Sequence, residues 1–411
     1  MSIVYNGILI VIGFLLKLIA LFNPKIKLFV AGRKESFNRI KAGLNKNDDV
    51  LWMHAASLGE YEQGLPILEA LKKTYPNYKI LLTFFSPSGY EVKKDKTPAD
   101  VVAYLPLDTR ANARKILRLI QPKAVLFVKY EVWPSLMTAL KKSDIPTLLV
   151  SGIFSERQVY FKWYGGFLKN ALKKFDYYYV QDENSKNLLA SIGITNVTVG
   201  GDSRFDRVTQ ILESDTTLSF MDAFLQDHPC IVAGSTWPPD EELLTTFINK
   251  DISDYKYVLA PHTLKPAHIS KIEAQLKVPT VRYSNLKNTD VSKAKVIILD
   301  TIGLLTKVYS YATIAYVGGA FGTGLHNTLE PAVFGIPVLI GPDYIDFIEA
   351  KALVKKGGIL SINNQGELND KLSQLQTQKQ EQKRLGKLNA SYIQNQKGAT
   401  EKVMNHLKGL L

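Results

Sequence analysis

Short apolar runs alternate with amphipathic stretches along most of this chain. Eleven runs of four to six residues are rich in β-branched and aromatic side chains, and each predicts a strand. These strands are Val50–His54, Lys79–Phe84, Val101–Tyr104, Ala124–Val128, Thr147–Val150, Tyr177–Val180, Cys230–Ala233, Tyr257–Ala260, Val296–Leu299, Thr313–Val317 and Pro337–Ile340. Amphipathic stretches such as Tyr61–Thr74 and Asp108–Ile120 predict helices between them. This alternation favours parallel sheets covered by helices on both faces.

The pattern also predicts two domains. The alternation lapses in a polar stretch from Arg207 to Pro229 and then resumes, and 411 residues are enough for two cores. We predict doubly wound domains at 31–210 and 211–411, and exposed helices for the polar tail at 368–397. In such sheets ligands bind beyond the carboxyl ends of the strands, so the expected site is the cleft between the domains.

The amino terminus predicts a membrane anchor over residues 1–30. Ile3–Phe22 is an apolar run of the length that a membrane span needs, and Lys17 is its only charge. Basic residues follow the run and none precedes it, which is the wrong order for a signal peptide and leaves the rest of the chain in the cytoplasm. A helix in the membrane interface, or packed on the domain, also fits this run.

The net charge indicates which binding partners to expect, and the cysteine content excludes two kinds of site. The net charge of +13 favours anionic partners, and because no nucleic-acid-binding motif is present we expect no nucleic acid among them. The single cysteine, Cys230, excludes a disulfide within the chain and a cysteine-built zinc site. Its apolar neighbours predict an inert thiol in a buried strand.

The first group of candidate catalytic residues follows the first predicted strand. Ser57, Gly59 and Glu60 lie where this strand ends and a helix begins. Gly59 would allow a tight turn or close approach of a ligand, and Glu60 falls in the first helical turn. Glu60 could be a general base, or a carboxylate that only complements the helix dipole.

The second group is a glycine-rich loop after the predicted strand Thr313–Val317. Free backbone N–H groups in such a loop, before a helix that would begin near Asn327, predict an anion site. Glu330, three residues after Asn327, could hold a ribose diol. The spacing matches neither the dinucleotide fingerprint nor the P-loop. The candidate residues are Gly318, Gly319, Gly324, His326, Asn327 and Glu330.

Further polar residues follow other predicted strands. Each of them fits a turn or a helix cap as well as a ligand contact, but they share the strand ends where ligands bind. They are Ser235, Thr236, His262, Lys265, Glu131, Ser151 and Arg157.

These motifs, in this order, resemble those of the 3-deoxy-D-manno-octulosonic acid (Kdo) transferases of lipopolysaccharide synthesis, glycosyltransferase family 30. The resemblance runs nearly end to end. Its blocks are Ser57–Glu60, Glu131–Pro134, Ser151–Ser155, Gly200–Asp206, Gly234–Thr236 and Gly318–Pro331. The chain departs from the family where Lys129 replaces the first Glu of Glu-Thr-Glu-Leu-Trp, and where Pro261-His262-Thr263 replaces Pro-Arg-His.

The resemblance implies a GT-B fold, with two facing Rossmann-like domains and attachment to the cytoplasmic face of the inner membrane. It implies transfer of Kdo from CMP-Kdo, held by the second domain, to the 6'-hydroxyl of a lipid A precursor on the first. Glu60 matches the family's catalytic base, and Glu131 matches a second acidic residue. The implied acceptor contacts are Ser57, Gly59 and Arg157. The implied donor contacts are Ser235, Thr236, His262, Lys265, Gly318, Gly319, Gly324, His326, Asn327 and Glu330.

The expected reaction inverts the anomeric configuration and needs no cofactor and no metal, because CMP leaves as a monophosphate ester. Lys265 is a possible substitute for the missing arginine cation. Two alternatives stay open: a GT-B transferase or epimerase that uses a UDP-sugar, and a membrane-anchored nucleotide-binding protein without catalysis.

Overall fold

The computed structural model describes residues 2–411, apart from the side chains at positions 287 and 288. This part of the chain contains eighteen α-helices and fourteen strands. It groups into two compact units: unit 1 is Met1–Arg207 with Gln396–Leu411, and unit 2 is Val208–Asn395. Each unit contains one seven-stranded sheet in which every strand pair is parallel, so the predicted α/β class is confirmed.

The sheet of unit 1 has the strand order β3-β2-β1-β4-β5-β6-β7. Its strands are β1 Val50–Ala55, β2 Lys79–Phe84, β3 Val101–Tyr104, β4 Ala124–Val128, β5 Thr147–Gly152, β6 Tyr177–Val180 and β7 Val197–Val199. The helices are α1 Ser2–Ile19, α2 Pro24–Gly43, α3 Leu58–Thr74, α4 Pro87–Lys93, α5 Arg110–Ile120, α6 Pro134–Lys142, α7 Gly166–Leu172, α8 Glu183–Ser191 and α9 Ser203–Ile211. The order reverses between β1 and β4, and this switch point is where open α/β sheets bind ligands.

The sheet of unit 2 has the order β10-β11-β9-β8-β12-β13-β14. Its strands are β8 Cys230–Thr236, β9 Lys256–Pro261, β10 Thr280–Arg282, β11 Val296–Ile298, β12 Ile314–Val317, β13 Val338–Ile340 and β14 Ile359–Ser361. The helices are α10 Ser219–Leu225, α11 Pro238–Ile248, α12 Pro266–Gln275, α13 Leu305–Val308, α14 Leu329–Ala332, α15 Ile348–Lys356, α16 Gln365–Thr377 and α17 Lys379–Gln396. The switch point lies between β8 and β12. Cys230 is fully buried in β8, and burial raises the pKa of its thiol.

The apolar amino terminus forms α1, and none of its side chains is buried. By length and composition α1 could cross a membrane, with a mean hydropathy of 2.1. Its N-terminal end nevertheless contacts unit 1. The Tyr5 hydroxyl donates to Asp108 Oδ2 at 3.0 Å, and the Arg110 N–H donates to Asn6 Oδ1 at 2.9 Å. The predicted anchor, 1–30, therefore contains two elements, α1 and the first part of α2, and its residue 1 lies outside the described residues.

The carboxyl-terminal helices differ from the prediction in two ways. The tail is not simply exposed, because α16 and α17 bury Leu368, Leu372 and Leu385 in the core of unit 2. The last helix, α18 Ala399–Lys408, packs on α3 in unit 1, whereas the sequence placed it in the second domain. Asp206 accepts hydrogen bonds from the Gly398 and Thr400 N–H groups, and this contact holds the start of α18.

Candidate functional site

The loops at the switch point of unit 1 carry two carboxylates. Glu60 lies in the first turn of α3, directly after β1, and its side chain is buried. The hydroxyl of Ser57, the N-cap residue, donates a hydrogen bond to Glu60 Oε2. This bond fixes the orientation of the Glu60 carboxyl group. Gly59 is exposed and lies in the helix without a positive φ, so it does not form the tight turn that the sequence allowed.

The second carboxylate, Glu131, follows β4. Its side chain is 19% exposed. Burial and, to a smaller extent, the Glu60 charge raise the pKa of Glu131 to about 7, although the Lys129 charge lowers it. Two nearby carboxyl groups do not readily ionise together, and here the proton stays on Glu131 below about pH 7. The loops therefore bring Glu131, a carboxyl group with a raised pKa, close to Glu60.

A buried histidine lies beside Glu131. His54 Nε2 is 4.0 Å from Glu131 Oε2 and has no hydrogen-bond partner in the described part of the chain. Its Nδ1 is 3.0 Å from the Thr83 carbonyl oxygen, and burial lowers the pKa of His54 to about 3, so the ring is neutral. With Nδ1 donating to the Thr83 carbonyl oxygen, Nε2 carries its lone pair and lies 4.0 Å from Glu131 Oε2, too far for a hydrogen bond. No role was predicted for His54 from the sequence. Its position near the carboxyl end of β1, where ligands bind in such sheets, could have indicated one.

Backbone strain marks the ends of three strands at these sites. Lys129, Ser151 and Ser235 have φ values of 66°, 52° and 54°, in the left-handed region that non-glycine residues rarely adopt. Such strain concentrates at functional sites. Ser151 is buried, and its hydroxyl shares a 2.8 Å hydrogen bond with Ser203. Arg157 is exposed on the loop after β5.

The glycine-rich loop of unit 2 follows β12 and lies against the loop after β8. A Cβ at Gly318 would be 2.5 Å from the Ser235 carbonyl oxygen, and one at Gly319 would be 2.2 Å from the Gly324 carbonyl oxygen. Gly319 and Gly324 also have φ values of 96° and 101°. Only glycine allows this close packing, which leaves the backbone of the loop at the carboxyl end of the sheet.

One residue that sequence reasoning missed joins the two loops. Asp240, in the first turn of α11, is fully buried. Its Oδ2 accepts from the Gly319 and Trp237 N–H groups, each at 2.9 Å, and its Oδ1 accepts from the Tyr316 hydroxyl at 2.7 Å. Asp240 therefore positions the glycine loop. Its signal in the sequence was an acidic residue two positions after a proline that starts a helix.

Three rings meet beside this loop and form what we call the imidazole cluster: Trp237, His262 and His326. The ring centroids of Trp237 and His262 are 4.5 Å apart, and those of His262 and His326 are 4.6 Å apart. Trp237 Nε1 donates to His326 Nε2 at 3.1 Å, and burial, with the neighbouring His262, lowers the pKa of His326. Flat aromatic rings can stack on a nucleotide base, and imidazole N–H groups can donate to a phosphate. Lys265 is exposed at the N-cap of α12.

Of the paired hydroxyls after β8, Thr236 is buried and donates to Glu241 Oε1 at 3.2 Å, which leaves the half-buried Ser235 as the accessible one. Glu330 accepts from Asn327 Nδ2 at 3.1 Å and from the Thr306 hydroxyl at 2.9 Å.

The helix expected near Asn327 is only one turn, α14, and begins at Leu329. So short a helix has a small dipole, and the contribution of its amino terminus to anion binding stays a prediction.

Within residues 2–411 no group of three or more His, Cys, Asp or Glu side chains is arranged to hold a metal ion. The two polar sites are built instead from single carboxylates, imidazoles, hydroxyls and backbone amides.

The sequence matches proteins of known family. Residues 31–207 match the model of the 3-deoxy-D-manno-octulosonic-acid transferase (kdotransferase) family. A 3-deoxy-D-manno-octulosonic acid transferase of Aquifex aeolicus is 32% identical over 354 residues, which are 83% of this chain and 90% of that protein. The 3-deoxy-D-manno-octulosonic acid transferase of Haemophilus influenzae is 27% identical over 378 residues, which are 88% of this chain and 87% of that protein.

Solved structures share the fold. The UDP-GlcNAc 2-epimerase of Neisseria meningitidis, bound to UDP-GlcNAc, aligns with a TM-score of 0.62 over 88% of this chain and all of that chain, at 17% identity. The MurG protein of Acinetobacter baumannii aligns with a TM-score of 0.54 over 88% of this chain and 99% of its own, at 13% identity. At such identities the likeness shows the fold alone.

Proposed function

Because this chain belongs to the 3-deoxy-D-manno-octulosonic acid transferase family, we propose that it transfers Kdo from CMP-Kdo to a lipid A precursor during lipopolysaccharide synthesis. The chain is a glycosyltransferase with a GT-B-like α/β fold. The observation that supports the proposal is the carboxyl pair at the switch point of unit 1: Glu60 is buried and bonded to Ser57, and the pKa of Glu131 is raised to about 7 by burial and by the Glu60 charge.

In the proposed reaction Glu60 is the general base. It takes the proton from the 6'-hydroxyl of the disaccharide acceptor as that oxygen bonds to the anomeric carbon of Kdo. The bond between this carbon and the CMP phosphate oxygen breaks on the opposite face, so the configuration inverts. The proton ends on Glu60, and CMP leaves with the bonding electron pair. Ser57 keeps the Glu60 carboxylate oriented before the transfer.

Unit 2 is the proposed donor site. The backbone amides of the glycine loop and the imidazole cluster would hold the CMP phosphate, and Glu330 would accept from the ribose hydroxyls. CMP carries one phosphate, so no diphosphate requires a bridging metal ion. Ser235 and the exposed His262 and Lys265 are the remaining candidate contacts. Amides held in position before the reaction stabilise the developing charge without reorganisation.

The proposed location is the cytoplasmic face of the inner membrane. α1 has the length and composition for membrane attachment, and its apolar side chains are exposed, among them Ile3, Val11 and Phe14. Attachment there would place the protein beside a lipid acceptor.

The test is product analysis by mass spectrometry. The protein is incubated with a tetraacylated lipid A precursor and either CMP-Kdo or UDP-sugars. We expect a mass increase of one or more Kdo units with CMP-Kdo only. Glu60→Gln should lower kcat by about 10²–10⁴-fold. The matched control is Glu69→Gln, an exposed carboxylate on the same helix, which should keep wild-type turnover.

Two results would contradict the proposal. Transfer from a UDP-sugar, but not from CMP-Kdo, would favour a different transferase on the same fold. Full turnover by Glu60→Gln would remove Glu60 as the base.

A further inference from the structure

A basic groove lies on unit 1, outside the carboxylate pair. It has a volume of about 910 Å³ and runs along α5 and α6. Four cationic side chains line it: Arg110, Arg114 and Arg118 from α5, and Lys142 from α6. No carboxylate is among the described residues of its lining, and none of the four cations forms an ion pair in the described part of the chain. We call this feature the arginine groove.

Two charge interactions in the arginine groove disfavour α5, although Arg118 in its last turn complements the helix dipole. The three arginines are spaced four residues apart, so they project from one face of the helix and repel each other. Arg110 is the first residue of α5, and the first turn contains no acidic residue. A cation at this end opposes the helix dipole. An anionic ligand in the groove would reverse both effects.

A second, independent observation points to a ligand. Ser135, at the start of α6, lines the arginine groove and is 6% exposed. Its buried hydroxyl oxygen has no hydrogen-bond partner among the described residues. A buried hydroxyl without a partner is costly unless a ligand or solvent satisfies it. The guanidinium groups that line the same groove bind phosphate oxygens in a bidentate way, so the lining supplies donors suited to a phosphate.

The groove begins at the apolar helix. Ser2, the first residue of α1, lines it and accepts a 2.8 Å hydrogen bond from Arg110 Nη2. The side chains that follow are exposed and apolar, with Ile3 76% and Val4 61% exposed. A ligand with a phosphate in the groove would therefore have apolar surface directly beside it. Free phosphate would leave that surface in water, whereas acyl chains would cover it.

We propose that the arginine groove binds the phosphodiester headgroup of an anionic bilayer phospholipid, whose acyl chains lie beside α1. This site adds a specific lipid contact to the membrane attachment proposed above and does not depend on the transfer reaction. A lysine or arginine near an anionic membrane surface strengthens binding by roughly a factor of five, so two of them together contribute about 30-fold.

The test is binding of the full chain to sedimented vesicles of phosphatidylcholine, with and without phosphatidylglycerol. The double variant Arg114→Gln with Arg118→Gln should bind phosphatidylglycerol vesicles about 30-fold more weakly and pure phosphatidylcholine vesicles as wild type does. Arg114→Lys with Arg118→Lys should keep most of the binding. The matched control is Lys383→Gln with Lys387→Gln, two exposed cations four residues apart on α17, and it should bind as wild type does.

Three outcomes would overturn the proposal. Equal losses of vesicle binding in the Arg114→Gln, Arg118→Gln variant and in the Lys383→Gln, Lys387→Gln control would mean that net charge alone governs binding. Displacement from vesicles by soluble glycerol phosphate would mean a site for free phosphate. A raised KM for the acceptor in phospholipid-free detergent, with unchanged vesicle binding, would make the groove an acceptor contact. Because the readout is vesicle binding, a failure here leaves the Glu60 experiment unaffected.

Discussion

Glu131 should make the stability of unit 1 depend on pH. Burial and the neighbouring Glu60 raise its pKa from 4.5 to about 7. The folded state therefore holds the proton more tightly than the unfolded state does. The stabilisation from this group is fully present below pH 4.5 and is lost as the pH rises through 7. Replacement by glutamine, which cannot ionise, should remove this dependence.

The shift corresponds to about 3 kcal/mol once both states are ionised. Between about pH 5.5 and about pH 8.5 the wild-type protein should lose about 2 kcal/mol of unfolding free energy from this group. Glu131→Gln should match the wild type in acid and be about 3 kcal/mol more stable at alkaline pH. The side chain is 19% exposed, so solvent screening changes these values little.

Hydrogen exchange measured by mass spectrometry resolves this effect. Peptides that cover β1 and β4 report the opening free energy of unit 1 at each pH, after correction for intrinsic exchange. The control is Glu156→Gln, an exposed carboxylate of the same unit, which should keep the wild-type slope. If Glu131→Gln also keeps the wild-type dependence of stability on pH, Glu131 does not titrate as its burial implies. The conclusion that Glu131 is protonated below about pH 7 is then wrong.

Two further substitutions test the packing described above. Gly318→Ala would put a Cβ 2.5 Å from a backbone oxygen, so it should destabilise unit 2 by about 1–3 kcal/mol in urea unfolding. It should also raise the KM for the proposed donor, CMP-Kdo, whereas Gly366→Ala should change neither quantity. Tyr5→Phe removes the hydrogen bond to Asp108, so limited proteolysis after α1 should be faster by about fivefold, whereas Tyr164→Phe, an exposed site, should change nothing. Unchanged proteolysis in Tyr5→Phe would mean that this contact does not hold α1.

The strands of this protein were largely readable from local sequence. Central parallel strands are buried on both faces, so they appear as continuous apolar runs, and all eleven predicted strands are present. The three strands that the sequence missed are β7, β10 and β14, each three residues long and at the edge of its sheet. Edge strands are partly exposed and short, so their apolar signal is weak.

The tail shows where local reading failed. α18 follows the second sheet in the chain but packs on α3 of unit 1. The apolar face of a helix records that it is buried and does not record against what it packs. That choice is made by contacts between residues far apart in the chain, such as those of Asp206 with residues 398 and 400.

Some residues of the candidate site were likewise predictable from the sequence, and others were not. Glu60 and the glycine loop were predictable, because a strand, a polar loop and a helix follow each other directly in the sequence. The positioning contacts were not: Asp240 binds a loop 79 residues away, and His54 binds Thr83, 29 residues away. The protonation of Glu131 was not readable either, because burial and the Glu60 charge set it. Sequence supplies the reactive groups, and the three-dimensional surroundings decide their charge because desolvation depends on what is packed around them.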